Sequence, residues 1–235
     1  GADMYATTNT GETPLAAALG YRNDKIIKIF LDKGFDPKRK LSNGLYYYGR
    51  DHFHQYVASI LKIDAAMFDL FLKKGADLET KDQNKETPLI SACGFDSIRS
   101  SIAPYLIKIG SDVNAQDKNG TTPLMTAVYS HNQNLIKLLL QAKASPDTTD
   151  HSGDTALKGM IRRGVLHDEK SKIAAILLEA GANPDITDKE GNTALHDAVS
   201  IGLPDLLQTI AKKADPSIKN KKGKRKNRTG SGHYQ

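Results

Sequence analysis

One recurrence constrains this chain more than any other feature. Five segments open alike, as Thr13-Pro14-Leu15, Thr87-Pro88-Leu89, Thr122-Pro123-Leu124, Thr155-Ala156-Leu157 and Thr193-Ala194-Leu195. Six segments close alike, at Gly34-Phe35-Asp36, Gly75-Ala76-Asp77, Gly110-Ser111-Asp112, Lys143-Ala144-Ser145, Gly181-Ala182-Asn183 and Lys213-Ala214-Asp215. The clearest copy runs from Asp117 to Asp150, with a turn signal at Asn119-Gly120. Thr122 is placed to cap a helix whose first residue is Pro123, where proline gives up only an amide that has no intrahelical partner anyway. A second helix, from about Asn132 to Gln141, carries Leu135, Leu138 and Leu139 on one face, widened by Ile136 and Leu140. Helices this short cannot bury their own apolar faces, so such a unit is stable only against neighbours of its own kind.

A period of about 33 residues with these openings and glycine turns resembles the ankyrin repeat, whose T-P-L-H-x-A motif several copies match in part. The resemblance covers about Thr8 to Asn220. It implies an all-α ankyrin-repeat solenoid of six repeats, with helix-turn-helix pairs linked by β-hairpin-like turns. Residues 1–7 read as a leader, Gly1-Ala2 as a cloning remnant, and residues 221–235 as a basic disordered tail.

The copies are not identical. The first, about Thr8 to Lys38, has Thr13 as cap and Gly34 as stop, where a left-handed residue is needed and a Cβ costs roughly 1 kcal/mol. Lys143 and Lys213 stand at that stop in the fourth and sixth repeats, so those turns are expected to be the more strained or looser ones. In the second repeat, about Leu41 to Asp82, Tyr46-Tyr47-Tyr48 stands where Thr-Pro-Leu is expected. Gly44 to Gly75 spans 31 residues against 23 for Gly11 to Gly34. Periodicity through Phe53, Tyr56, Val57, Ile60 and Leu61 predicts a lengthened first helix. The third repeat carries two residues inserted around Gly94 to Ser101. The fifth carries five, in Arg162 to Lys170, which lacks apolar periodicity and reads as an exposed loop. The sixth, Lys189 to Asn220, has the polar Gln208, Lys212 and Lys213 that a terminal repeat needs.

Charge has to be divided before it means anything. The net charge is +6, yet Lys219, Lys221, Lys222, Lys224, Arg225, Lys226 and Arg228 supply seven cations with no acid after Asp215. The body is left with 26 basic against 27 acidic residues, so the repeats offer no positive field to nucleic acid. No run of 18 apolar residues occurs, and no membrane span is expected. A single cysteine, Cys93, permits no internal disulfide and reads as a buried, inert thiol.

Catalysis finds no support in pattern. The histidines are scattered, His52 and His54 project to different sides of one helix, and no HExxH, paired-cysteine, Walker or nucleophile-elbow motif is present. His167-Asp168-Glu169 has acid-base residue types without a partner pinned by sequence. No enzyme activity, metal or cofactor is therefore expected. By the family resemblance, His196 bonds Thr193 and the neighbouring repeat's backbone, bracing the stack. Ala16, Ile90, Met125 and Lys158 fill the equivalent positions, so that brace is expected to be mostly absent.

The resemblance also implies a protein partner on the concave face, met by turn tips and by the ends of first helices. Carried over residue by residue, the tips include Glu86, Asn119, His151, Asp154 and Glu190, and the helix ends Tyr21, Phe95, Tyr129, Arg162 and Arg163. Tyr47 joins them unless the three tyrosines only repack a junction, and His167 joins from the inserted segment. Aromatics and arginine are the residues that binding hot spots favour. The tail suits an acidic groove, an anionic surface or nucleic-acid phosphate, and equally a solubilising end or the worn start of a seventh repeat. The function expected is a non-catalytic interaction scaffold, monomeric and cytoplasmic. The alternatives are a nucleus- or nucleic-acid-associated protein using Lys221, Lys222, Lys224, Arg225, Lys226 and Arg228, or the targeting half of a longer enzyme.

Overall fold

The computed structural model describes residues 3–9, 12–39, 50–59, 64–94, 102–163 and 167–221, excepting the side chains at 58, 59, 167 and 168. Two compact units divide it, Gly1–Thr126 and Ala127–Gln235. The first contains α1 (Pro14–Gly20), α2 (Asp24–Asp32), α3 (His52–Ser59), α4 (Ala65–Lys73), α5 (Pro88–Ala92) and α6 (Ala103–Lys108). Helix α7 (Pro123–Tyr129) leads into the second, which holds α8 (Gln133–Gln141), α9 (Ala156–Arg162), α10 (His167–Glu179), α11 (Ala194–Ile201) and α12 (Pro204–Ala211). Among the described residues these are six helix pairs and no strand.

The helices start where capping chemistry allows. Hydroxyls of Thr13, Thr87, Thr122 and Thr155 accept from the amides of Ala16, Ile90, Met125 and Lys158 at 3.1 to 3.4 Å. Second helices use Asn23, Asp64 and Asn132 in the same way. First helices pack on one another, α1 on α3 and α3 on α5 in one unit, α9 on α11 in the other. Second helices do likewise, α2 on α4 and α8 on α10 on α12. The first unit buries an aromatic cluster in which Tyr56 stacks on Phe71 at 4.8 Å and Phe53 and Phe68 meet edge-on at 5.9 Å. Tyr5, inside the stretch expected to be a leader, lies 4.5 Å from Phe35 with Arg39 over its other side. The second unit is filled by aliphatics, among them Leu157, Met160, Leu177 and Ile210.

Between pairs, one aspartate organises each turn. Oδ1 of Asp82, Asp117, Asp150 and Asp188 accepts two amide N–H groups, two and four residues on, at 2.7 to 3.0 Å. Gly153, at φ +84°, serves two needs, since a Cβ there would also stand 3.2 Å from the Cα of Asp188 in the following turn.

Five expectations need correcting. The second repeat opens at Asp51-His52-Phe53, not at the tyrosines: Asp51 Oδ1 accepts from the His54 amide at 2.8 Å, and α3 begins at His52. Helix α3 is described as far as Ser59; Ile60 and Leu61, on which the expected lengthening rests, lie outside the described residues, and most of the extra chain precedes Asp51, where a carboxylate caps in place of threonine. Tyr46 to Tyr48 lie outside the described residues. The 162–170 segment is not a loop throughout: Arg162 ends α9 and Arg163 is exposed, while residues 164–166 lie outside the described residues. Its last part is the first turn of α10, which has 13 residues where α8 has 9, and the buried Lys170 donates to the Ile161 carbonyl at 2.8 Å. Lys143 is left-handed at φ +70°, as expected, but Lys213 is not. Helix α12 ends instead with the amides of Lys213 and Ala214 both donating to Ile210 O, a closure that needs no left-handed residue. Lys221, placed in the tail, belongs to the last turn, since its amide donates to Glu190 O at 3.0 Å.

The fifth correction concerns the brace. His196 does accept from the Thr193 amide at 3.2 Å. With the second repeat opening at Asp51, His54 takes the equivalent place and its Nε2 lies 3.0 Å from the Ser91 hydroxyl of the next repeat. Lys158 also fulfils the role, donating from Nζ to the carbonyl of Asn192. The brace survives through other side chains because what it needs is a donor of sufficient reach. His52 works toward the first repeat, with Nε2 2.9 Å from Thr13 Oγ1 and Nδ1 2.8 Å from Arg39 O. Burial pushes its pKa down to about 4, so the ring is neutral there.

Candidate protein-binding surface

Where α7 ends and α9 runs past it, three residues interlock. Tyr129 lies across Gly159, such that a Cβ on Gly159 would overlap the tyrosine hydroxyl and stand 3.1 Å from Cε1 and Cζ. Arg163, the extended residue that closes α9 with its amide donating to Gly159 O, sets its guanidinium 4.3 Å from the Tyr129 ring centroid. A glycine inside a helix costs about 1 kcal/mol relative to alanine, and the cost here makes room for an aromatic ring. Arg163 keeps its side chain 57% exposed, and its nearest carboxylate, Asp150, is 3.9 Å away.

The preceding arginine has the opposite fate. Arg162 donates to both oxygens of Asp154 at 3.0 and 3.2 Å, to Asp188, and to Asp197 at 3.2 Å. Beneath it Lys158, only 1% exposed, has its ammonium 3.1 Å from Asp188 and 3.5 Å from Asp197. Burial alone would raise the Asp188 pKa, but the Asn192 amide, Lys158 and Arg162 outweigh it and hold the carboxyl down to about 2. For Asp154 burial prevails over Arg162 and Lys158, and its carboxyl is shifted upward. Burial opposes the charge on Arg162, yet Asp197 and Asp154 more than offset it and raise its pKa. The cluster ties α9 to the last turn and to α11, and among the described residues no group of three or more His, Cys, Asp or Glu is arranged to hold a metal.

The other expected contact residues scatter. Tyr21 is 87% exposed at the end of α1, while Glu86 is half-buried and accepts from the Ser91 hydroxyl at 2.9 Å. Asn119, His151 and Glu190 are exposed at turn tips. Asp154, expected at a tip, is buried in the ion cluster, and Arg162 is engaged there with it. Tyr47, Phe95, the His167 side chain and the tail residues Lys222, Lys224, Arg225, Lys226 and Arg228 lie outside the description. Cys93 is buried, which shifts its thiol far upward and leaves it un-ionised. A small cleft of about 300 Å³ lies at the first turn, lined by Ala6, Thr7, Thr8, Glu12, Thr13, Pro14 and Ala17. Sequence reasoning missed Lys158, Gly159, Asp188 and Asp197. The signal was a lysine among apolar helix positions, a place where an ammonium requires buried carboxylates.

The stacked helix pairs and aspartate turns have counterparts elsewhere. The family model described as ankyrin repeats, in three copies, matches residues 53–150, and the ankyrin repeat model matches 190–221, together more than half of the chain. This chain belongs to the ankyrin-repeat family. It is similar to the crystal structure of the ankyrin repeat domain of Bcl-3, described as a unique member of the IkappaB protein family, at 24% identity and a TM-score of 0.72. That match covers 92% of this chain and 92% of the other. An ankyrin repeat domain from Acinetobacter baumannii AYE matches at 22% identity and a TM-score of 0.70, over 85% of this chain and 97% of that one. No curated protein matches the chain in sequence. As an ankyrin-repeat protein it is of the protein-interaction kind, and among its described residues no helix is long and apolar enough to cross a membrane.

Proposed function

We propose that this chain is a non-catalytic, monomeric scaffold that binds a partner polypeptide on the concave face, centred in the second unit on Tyr129 and Arg163. The observation that carries the reading is the Tyr129–Gly159–Arg163 interlock. It leaves Arg163 exposed over a half-buried Tyr129 ring that holds it in place, so little side-chain freedom is lost when a partner arrives. His151 and Glu190, exposed at neighbouring turn tips, supply a polar rim. A family whose members present surfaces rather than enclose substrates supports the same conclusion.

The test is to identify a captured partner by mass spectrometry and measure its Kd with Tyr129→Ala and Arg163→Ala chains of unchanged helical content. A loss of about tenfold or more is expected for each, the size of a hot-spot truncation. An unchanged Kd for both variants refutes the proposed surface.

A further inference from the structure

The partner's chemistry can be read from how the charges in the second unit are layered. Four carboxylates lie near the end of α9, and all face inward: the side chains of Asp150, Asp154, Asp188 and Asp197 are 5%, 11%, 0% and 11% exposed. Their cations differ in depth. Lys158 is at the bottom, Arg162 is partly covered at 34%, and Arg163 is outermost at 57%. An approaching chain therefore meets guanidinium first, with Asp154, Asp188 and Asp197 beneath already turned to Lys158 and Arg162, and Asp150 buried 3.9 Å from Arg163. At the turn that carries Asp188, Lys189 and Lys221 are exposed on either side of the exposed Glu190, two cations against one acid.

Arg163 is also fixed in orientation. Its guanidinium carbon lies over the Tyr129 ring, 4.3 Å from the centroid, a cation–π contact that holds the group in place. Its one carboxylate neighbour lies at 3.9 Å, too far for a paired hydrogen bond. A planar fork held this way matches a carboxylate, which accepts two parallel N–H bonds.

We infer that the partner, on the surface proposed above, presents an acidic segment whose aspartate or glutamate carboxylate is seated on the Arg163 fork. The inference rests on that reading. Tyr129 serves as the positioning residue and Lys189 and Lys221 steer the approach.

The probe is a short fluorescein-labelled Glu-rich peptide, with the Gln-for-Glu peptide as control, titrated into the full chain at low salt and followed by anisotropy. The Glu peptide should bind and the Gln peptide should not. Arg163→Ala should weaken binding about tenfold and Arg163→Lys several-fold, because lysine keeps the charge and loses the fork. Tyr129→Ala, which removes the ring that holds Arg163, should also weaken binding of the Glu peptide. The inference is overturned if both peptides bind alike, if neither binds, or if neutralising Lys224, Arg225 and Lys226 removes binding that Arg163→Ala leaves intact. A captured partner separates the two levels. A partner sensitive to Tyr129→Ala and Arg163→Ala that the Glu peptide cannot displace sinks the acidic segment and spares the surface, whereas a partner indifferent to both variants sinks the surface itself.

Discussion

The hydroxyl of Tyr129 occupies the space that a Cβ on Gly159 would fill. In an ordinary helix, Gly→Ala stabilises by about 0.5–1 kcal/mol. Here Gly159→Ala should displace the ring instead, cancel that gain and release Arg163. The double variant Gly159→Ala with Tyr129→Ala should recover the gain relative to Tyr129→Ala alone. Urea unfolding of the four proteins in this cycle measures it. An additive result would mean that the ring moves aside at no cost.

Lys158 is buried among carboxylates and also reaches the Asn192 carbonyl. Lys158→Met leaves Asp188 and Asp197 with Arg162 as their remaining cation. Removing one member of a buried ionic group costs about 3–5 kcal/mol. The loss should be local, so hydrogen exchange in α11 and α12 should accelerate more than in α8. Uniform acceleration, or none, would contradict the role given to Lys158.

His52 carries a pH signature. Its pKa falls from 6.5 unfolded to about 4 in the fold, so the protonated ring is the form the fold disfavours. Stability is thus full above about pH 6.5 and declines as the pH drops toward 4, by roughly 3 kcal/mol in all. His52→Gln should be less stable at neutral pH and show a shallower decline across that window. Parallel stability curves for parent and variant would exclude the assignment.

The two lysines at the helix stops make a matched comparison. Lys143 is left-handed at φ +70° and Lys213 is not. Lys143→Gly should therefore raise stability by up to about 1 kcal/mol, whereas Lys213→Gly should lower it by freeing the unfolded chain and removing the ammonium that donates to Leu178 O at 2.5 Å. Equal effects from both substitutions would refute the difference in closure.

Much of this architecture is written locally. Thr13, Thr87, Thr122 and Thr155 cap because a hydroxyl and an amide three residues on meet in any helix start, and Leu135 and Leu139 share a face wherever a helix forms. Such features depend on neighbours a few positions away, so the repeat, its period and its helix pairs were legible from residue order. Asp51 was not recognised as the second repeat's cap because threonine is absent there and the extra chain precedes it.

The surface was decided by the stack. Arg162 and Arg163 are adjacent and chemically identical, yet one turns onto Asp154, Asp188 and Asp197 while the other stacks on Tyr129 and faces water. Their partners stand up to 35 positions away along the chain, and packing of successive repeats brings them near. Residue order alone determined that this chain builds helix pairs in series. Which charges were buried and which were offered to a partner depended on distant side chains meeting in three dimensions, because the energy of a charge is set by its surroundings rather than by its place in the chain.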